Sequence, residues 1–110
     1  MTNQSYDQKL AFDTELTIAA STFSGAAQSL GSLTNVPVKL LIKNLTSVQV
    51  FFADNSGSTK GTTMAAGEEI VLDCKLTAGN GSNCFPIGTT FYVTASAGTG
   101  NFKVSVLYAY

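Results

Sequence analysis

Across residues 36–73, VPVKLLIKNLTSVQVFFADNSGSTKGTTMAAGEEIVLD, apolar and polar positions alternate along most of the chain. Val38, Leu40 and Ile42 fall on one side and Lys39 and Lys43 on the other, because successive side chains of a strand point to opposite faces. Residues 44–47 break the pattern with turn-forming types. Val48, Val50 and Phe52 then resume an apolar face, with Gln49, Phe51 and Ala53 opposite. Residues 54–61, DNSGSTKG, predict an exposed loop, since these residue types tolerate turns or bond their own backbone. Met64 to Gly67 lead through Glu68 and Glu69 into Ile70, Val71 and Leu72, with Gly67 placed where a turn needs positive φ. The stretch therefore predicts three strands and two turns.

The same period recurs on both sides. Leu10, Phe12, Leu16 and Ile18 share one parity against Lys9, Asp13, Glu15 and Thr17, the alternation of a half-buried strand that is long or bent. In residues 19–33, Phe23, Ala26, Ala27 and Leu30 could line a short helix, yet the two glycines would each cost about 1 kcal/mol there, so extended chain is preferred. Residues 75–83 are a loop rich in Gly and Asn. Phe91, Val93 and Ala95 alternate with Tyr92 and Thr94, residues 97–101 (AGTGN) read as a hairpin turn, and the last strand sets Phe102, Val104, Val106, Tyr108 and Tyr110 against Lys103, Ser105, Leu107 and Ala109. About seven or eight strands without a clear helix predict an all-β chain, a single antiparallel β-sandwich of jelly-roll or immunoglobulin-like type over residues 9–110. Residues 1–8 carry no periodicity and read as a flexible or partner-bound arm.

Composition narrows the functional classes. Charged residues make up 12% of the chain against roughly 25% in ordinary soluble domains, so much of the surface is Ser, Thr, Gly, Asn and Ala, as on proteins that bury surface in an assembly and also on all-β domains rich in Thr and Ser, the first reading being preferred. The net charge is −1, and with no Arg and six scattered Lys there is no footprint for a nucleic-acid backbone. The N-terminus lacks the basic and apolar regions of a signal peptide, and no apolar run is long enough to span a membrane. The chain is expected to be made and kept soluble. Asn3, Asn44 and Asn80 head N-x-S/T triplets, which without a secretory signal read as turn chemistry.

Candidate chemistry is sparse. There is no His to act as a group poised near neutral pH, and the adjacent Glu68 and Glu69 point to opposite faces of a strand, so they cannot work as a pair on one bond. Asp54, Asn55 and Ser56 lack the spaced carboxylates of a calcium loop, and the Gly-rich segments at 79–83 and 98–101 lack the Lys and helix of a phosphate cradle. No catalytic residue, metal ligand or cofactor is therefore assigned, and an enzyme is not expected. Cys74 and Cys84 flank a nine-residue segment. Two thiols without His cannot close a zinc site; a disulfide there would add about 3 kcal/mol by loop entropy, whereas cytosolic synthesis favours reduced thiols, so both states stay open. Tyr6, Phe51 and Tyr110 are candidate interface aromatics, since such residues are enriched at contacts, while Tyr108 reads as core.

Four segments in order, FSGAAQSLG at 23–31, PVKLLIKNLTSVQVFFAD at 37–54, MAAGEEIVLD at 64–73 and GTTFYVTASAGTGNFKVSVLY at 88–108, resemble a group of small structural proteins of tailed bacteriophages. The resemblance implies a compact β-sandwich module of the virion, at head, neck or tail, with no catalytic or metal residues, made in the host cytoplasm. The low charge and the possible free arm favour decoration or cementing of a capsid through contacts with the major capsid protein or other virion proteins, as a homo-oligomer with a trimer favoured. The cysteine pair does not belong to that pattern. The alternative reading is a tail or fibre module that binds host-surface carbohydrate through loops at one end of the sandwich.

Overall fold

The computed structural model describes residues 9–57, 60–74, 76–77, 81–82 and 84–110; Tyr6 and the arm over residues 1–8 lie outside them. The first half of the chain forms β1 (Leu10–Phe12), β2 (Leu16–Ala19), β3 (Gln28–Ser32), β4 (Pro37–Thr46) and β5 (Val50–Ala53). The second half adds β6 (Gly61–Met64), β7 (Glu69–Asp73), the short β8 (Leu76–Thr77) and β9 (Gly81–Ser82), then β10 (Thr90–Thr94) and β11 (Gly100–Ala109). A single 3-10 turn at Ala20–Thr22 is the only helical element among the described residues; the rest of 19–33 is not helical and runs into β3, with Phe23, Leu30 and Leu33 buried. No helix there is long and apolar enough to cross a membrane.

Two antiparallel sheets stack face to face. One has the order β1-β11-β4-β7, with β2 following β1 along the same side of β11; the other has the order β3-β10-β5-β6. This pairs β2 with β11, β3 with β10, β4 with β7 and β5 with β6, so the chain folds as one long ribbon wrapped into two sheets, the jelly-roll arrangement. Alternation supplies the core: Leu40 and Ile42 of β4, Val50 and Phe52 of β5, Phe91 and Val93 of β10, and Phe102, Val104 and Val106 of β11 all point inward and are buried. Phe52 ties the sheets together, its ring centroid 5.1 Å from Phe91 and 5.5 Å from Phe102. Each such buried ring contributes about 1.5–3 kcal/mol.

Several expectations are corrected. The stretch 36–73 holds four strands, because Gly61, the end of the expected loop, and the three residues after it form a strand that pairs with β5. Residues 44–46 are strand, not turn: Asn44 is fully buried and its side chain replaces the backbone partners that the neighbouring loops lack. Asn44 Nδ2 donates to the carbonyls of Val48, Met64 and Ala65 at 3.0, 3.0 and 3.1 Å, and its Oδ1 accepts from Thr46 Oγ1 at 2.6 Å. Burial also rules out Asn44 as a glycan acceptor in the folded chain. Residues 97–101 are not a hairpin turn, since β10 and β11 belong to different sheets and the segment crosses between them. Tyr108 is half-buried beyond the end of the core.

Candidate interaction surface

The largest departure from the simple alternation lies on the first edge of the five-stranded sheet. Phe12 sits opposite Leu107 and Leu16 opposite Val104, so four steps along β1 and β2 match three along β11. A one-residue slip sends every following side chain to the other face. Leu16 and Ile18 therefore pack on the core, while Leu10 and Phe12, expected on the same buried face, stand on the outside of the sheet with 59% and 70% of their surface exposed. Asp13 anchors the slip. Its backbone N–H donates to the Val106 carbonyl at 2.9 Å, and its carboxylate accepts from Thr34 Oγ1 at 2.6 Å and Asn35 Nδ2 at 3.0 Å. Those bonds, Thr34 first, hold the Asp13 carboxyl below the usual Asp range.

The outer face of this sheet is divided along its length. At one end Phe12, Leu107, Leu41 and Val71 lie on neighbouring strands, close to Leu10, and Val71 is half exposed. Lys39 and Asp73 share this end as a pair 3.4 Å apart. Beyond it lies a polar row of Lys103, Lys43, Glu69 and Thr17, with Glu15 3.8 Å from Lys103, and past that row Leu45 is exposed on the same face. An apolar cluster bordered by a polar row is the layout of a contact surface.

Of the residues singled out from the sequence, Tyr110 ends β11 with 69% of its surface exposed, tilted against Tyr108 at 6.0 Å. Phe51 belongs to the other sheet, half-buried between Thr63 and Thr94 on its neighbouring strands. The two are not brought together. Tyr6 lies outside the described residues. Cys74 and Cys84 are joined in a disulfide, with Cα atoms 5.3 Å apart. The bridge holds the next residue, Phe85, in place, and its ring meets Phe91 edge-on at 5.0 Å.

Phe85 also lines a cleft of about 390 Å³ between β6 and β7, where the sandwich opens. Ile42, Phe52, Ile70 and Leu72 form its apolar wall, and Asp54 and Lys60 are its charged members. Such a wall accepts an apolar group; it holds no paired carboxylates for acid–base work. The remaining acids serve local structure: Glu68 Oε1 accepts from the Ala65 amide at 2.8 Å, and Asp54 Oδ1 accepts from Asn55 Nδ2 at 3.1 Å. Among the described residues no three His, Cys, Asp or Glu side chains gather as metal ligands. Leu10 and Phe12 were missed as surface residues because period-two alternation carries no sign of a one-residue slip, whereas Val71 follows plain alternation, opposite in facing to Ile70 and Leu72. Comparison of the chain with protein-family models, with curated proteins and with solved structures yields no match, so a functional reading rests on the residues and their arrangement.

Proposed function

We propose that this chain is a non-enzymatic structural protein of a phage virion, decorating or cementing the capsid through contacts with the major capsid protein. The observation that carries the reading is the apolar end of the outer sheet face, where Leu10, Phe12 and Val71 are exposed. Exposed apolar side chains gathered at one end of a sheet in a charge-poor chain suit a surface covered in an assembly. The jelly-roll order adds support by analogy of fold alone, since viral shells use it, as do lectins. The resemblance of the ordered short segments to phage structural proteins is what brings the virion into this reading. Quantitative mass spectrometry of purified virions, with an electron-microscopy map, tests the reading. Hundreds of copies over the shell is the expected result; about a dozen at one vertex would move the protein to the neck or tail. Absence from the particle would reject both.

The cleft between β6 and β7 favours a second reading, a tail or fibre module that binds host-surface carbohydrate. Phe85 lines the cleft with Asp54 and Lys60, so a sugar's apolar face could lie on the apolar wall while its hydroxyls meet the charged members. Saturable binding on a glycan array, abolished by Phe85→Ala in a folded variant, would favour it over decoration.

A further inference from the structure

We propose that β1 is a self-pairing edge, through which two copies of this chain join antiparallel about a two-fold axis at Ala11 and run their five-stranded sheets into one. The inference rests on the reading of the protein as an assembly module and names one of its partners, a second copy. Backbone geometry comes first. Lys9 exchanges both hydrogen bonds with Tyr110, at 3.1 and 2.9 Å, and Asp13 donates to Val106 at 2.9 Å. Residues 9, 11 and 13 thus turn their amides toward β11, and Leu10 and Phe12 turn theirs to the opposite side. Among the described residues β1 pairs with no strand on that side.

With the axis at Ala11, Leu10 meets Phe12 of the second copy as a hydrogen-bonded pair, and symmetry repeats the match. Lys9 then faces Asp13 of the second copy across a non-hydrogen-bonded pair, where Cα atoms approach to about 4.5 Å and side chains are closest. Opposite charges meet twice and exposed apolar groups meet twice. A slip of two residues either way separates Lys9 from Asp13 and sets Leu10 or Phe12 against its own copy. On the outer face, Phe12 continues the row from Leu107, so pairing joins the apolar ends of both sheets into one strip. An isologous edge of this kind closes as a dimer, not the trimer expected from the sequence. The ladder is short, so its dissociation constant belongs on the order of 10–100 µM.

Sedimentation and disulfide trapping of the full chain test this. Concentration-dependent dimerisation is expected, weakened at least tenfold by Leu10→Lys or Phe12→Lys; both positions are exposed, so the fold survives. Ala11→Cys sits on the axis and is expected to lock a covalent dimer under mild oxidation, while Leu10→Cys, two positions out of register with itself, locks little. A protein that stays monomeric to about 1 mM overturns the proposal, as does trimerisation or equal trapping at both cysteine positions. Dimerisation only after removal of residues 1–8, or pairing of β1 with another protein's strand alone, overturns it too. Capsid binding by a strictly monomeric chain would sink the self-pairing and leave the decoration reading standing; a dimer without capsid affinity would do the reverse.

Discussion

Asn44 shows how much one residue can hold. Its amide donates to carbonyls from two different connections, and its oxygen accepts from both the backbone and the hydroxyl of Thr46, all inside the core. Removing it strands several buried groups at once, each costing about 1–3 kcal/mol. Asn44→Ala is expected to lose about 3 kcal/mol or more in urea unfolding, and Asn44→Asp about as much because its carboxylate would meet three carbonyls. A loss under about 1 kcal/mol would show that water replaces these bonds. Two glycines make a second test. Gly67 (φ +84°) and Gly100 (φ +83°) share a left-handed backbone, but a Cβ on Gly67 meets open space, whereas one on Gly100 lies 2.2 Å from the Leu45 carbonyl oxygen. Gly67→Ala should cost about 1–2 kcal/mol, and Gly100→Ala clearly more, since backbone must shift. Equal losses would sink the distinction. Gly67 was legible in the sequence because a turn had to precede Ile70; Asn44 was not, because a lone Asn beside Thr and Ser has the composition of a loop.

Among the elements, the corner between β1 and β2 depends on an ionised acid. Hydrogen bonds from the Thr34 hydroxyl and then the Asn35 amide lower the folded Asp13 pKa beneath its unfolded value of about 3.9. The stabilisation they bring is therefore present above about pH 4 and is lost as pH falls through the lower, folded value. Asp13→Asn should destabilise the protein at pH 7, with the gap to wild type narrowing toward pH 2. A gap independent of pH would mean that the charge plays no part. The bridge at the base of β8 and β9 permits a similar comparison: Cys74→Ala with Cys84→Ala should cost up to about 3 kcal/mol by loop entropy. Central strands were the legible ones. Over residues 39–46 of β4 and 102–107 of β11, flanked on both sides, alternation holds, whereas β1 and β2, with one partner, slip by a residue and turn Leu10 and Phe12 outward.

At the scale of the whole molecule, alternation predicts strands and a sandwich but not the order in which they pair. Segments such as 97–101 have the composition of a hairpin turn whether they reverse the chain within a sheet or carry it to the other one. The order decides that, and it has a consequence for folding. The wrapped ribbon is closed at the β5–β6 hairpin and open where β1 meets the end of β11, with Lys9 bonded to Tyr110. In the natural chain the pairings of β2 and β4 with β11 and of β3 with β10 all join distant segments, which makes folding slow. A circular permutant that starts after Gly57 and runs from Tyr110 into residue 1 keeps every strand pair. Residues 1–8 then act as the linker, β11 and β2 become near neighbours in sequence, and β4–β7, β5–β6 and β5–β10 become more distant. Its stability should stay within about 2 kcal/mol of the natural chain, since loop length costs little. Its refolding should be faster in stopped-flow measurements if pairing of the two chain ends limits the rate, because β1 and β2 then meet β11 locally although β4 still meets it across a long stretch. Slower refolding at equal stability would place the rate-limiting step at the β5–β6 end of the ribbon and not at the pairing of the two chain ends.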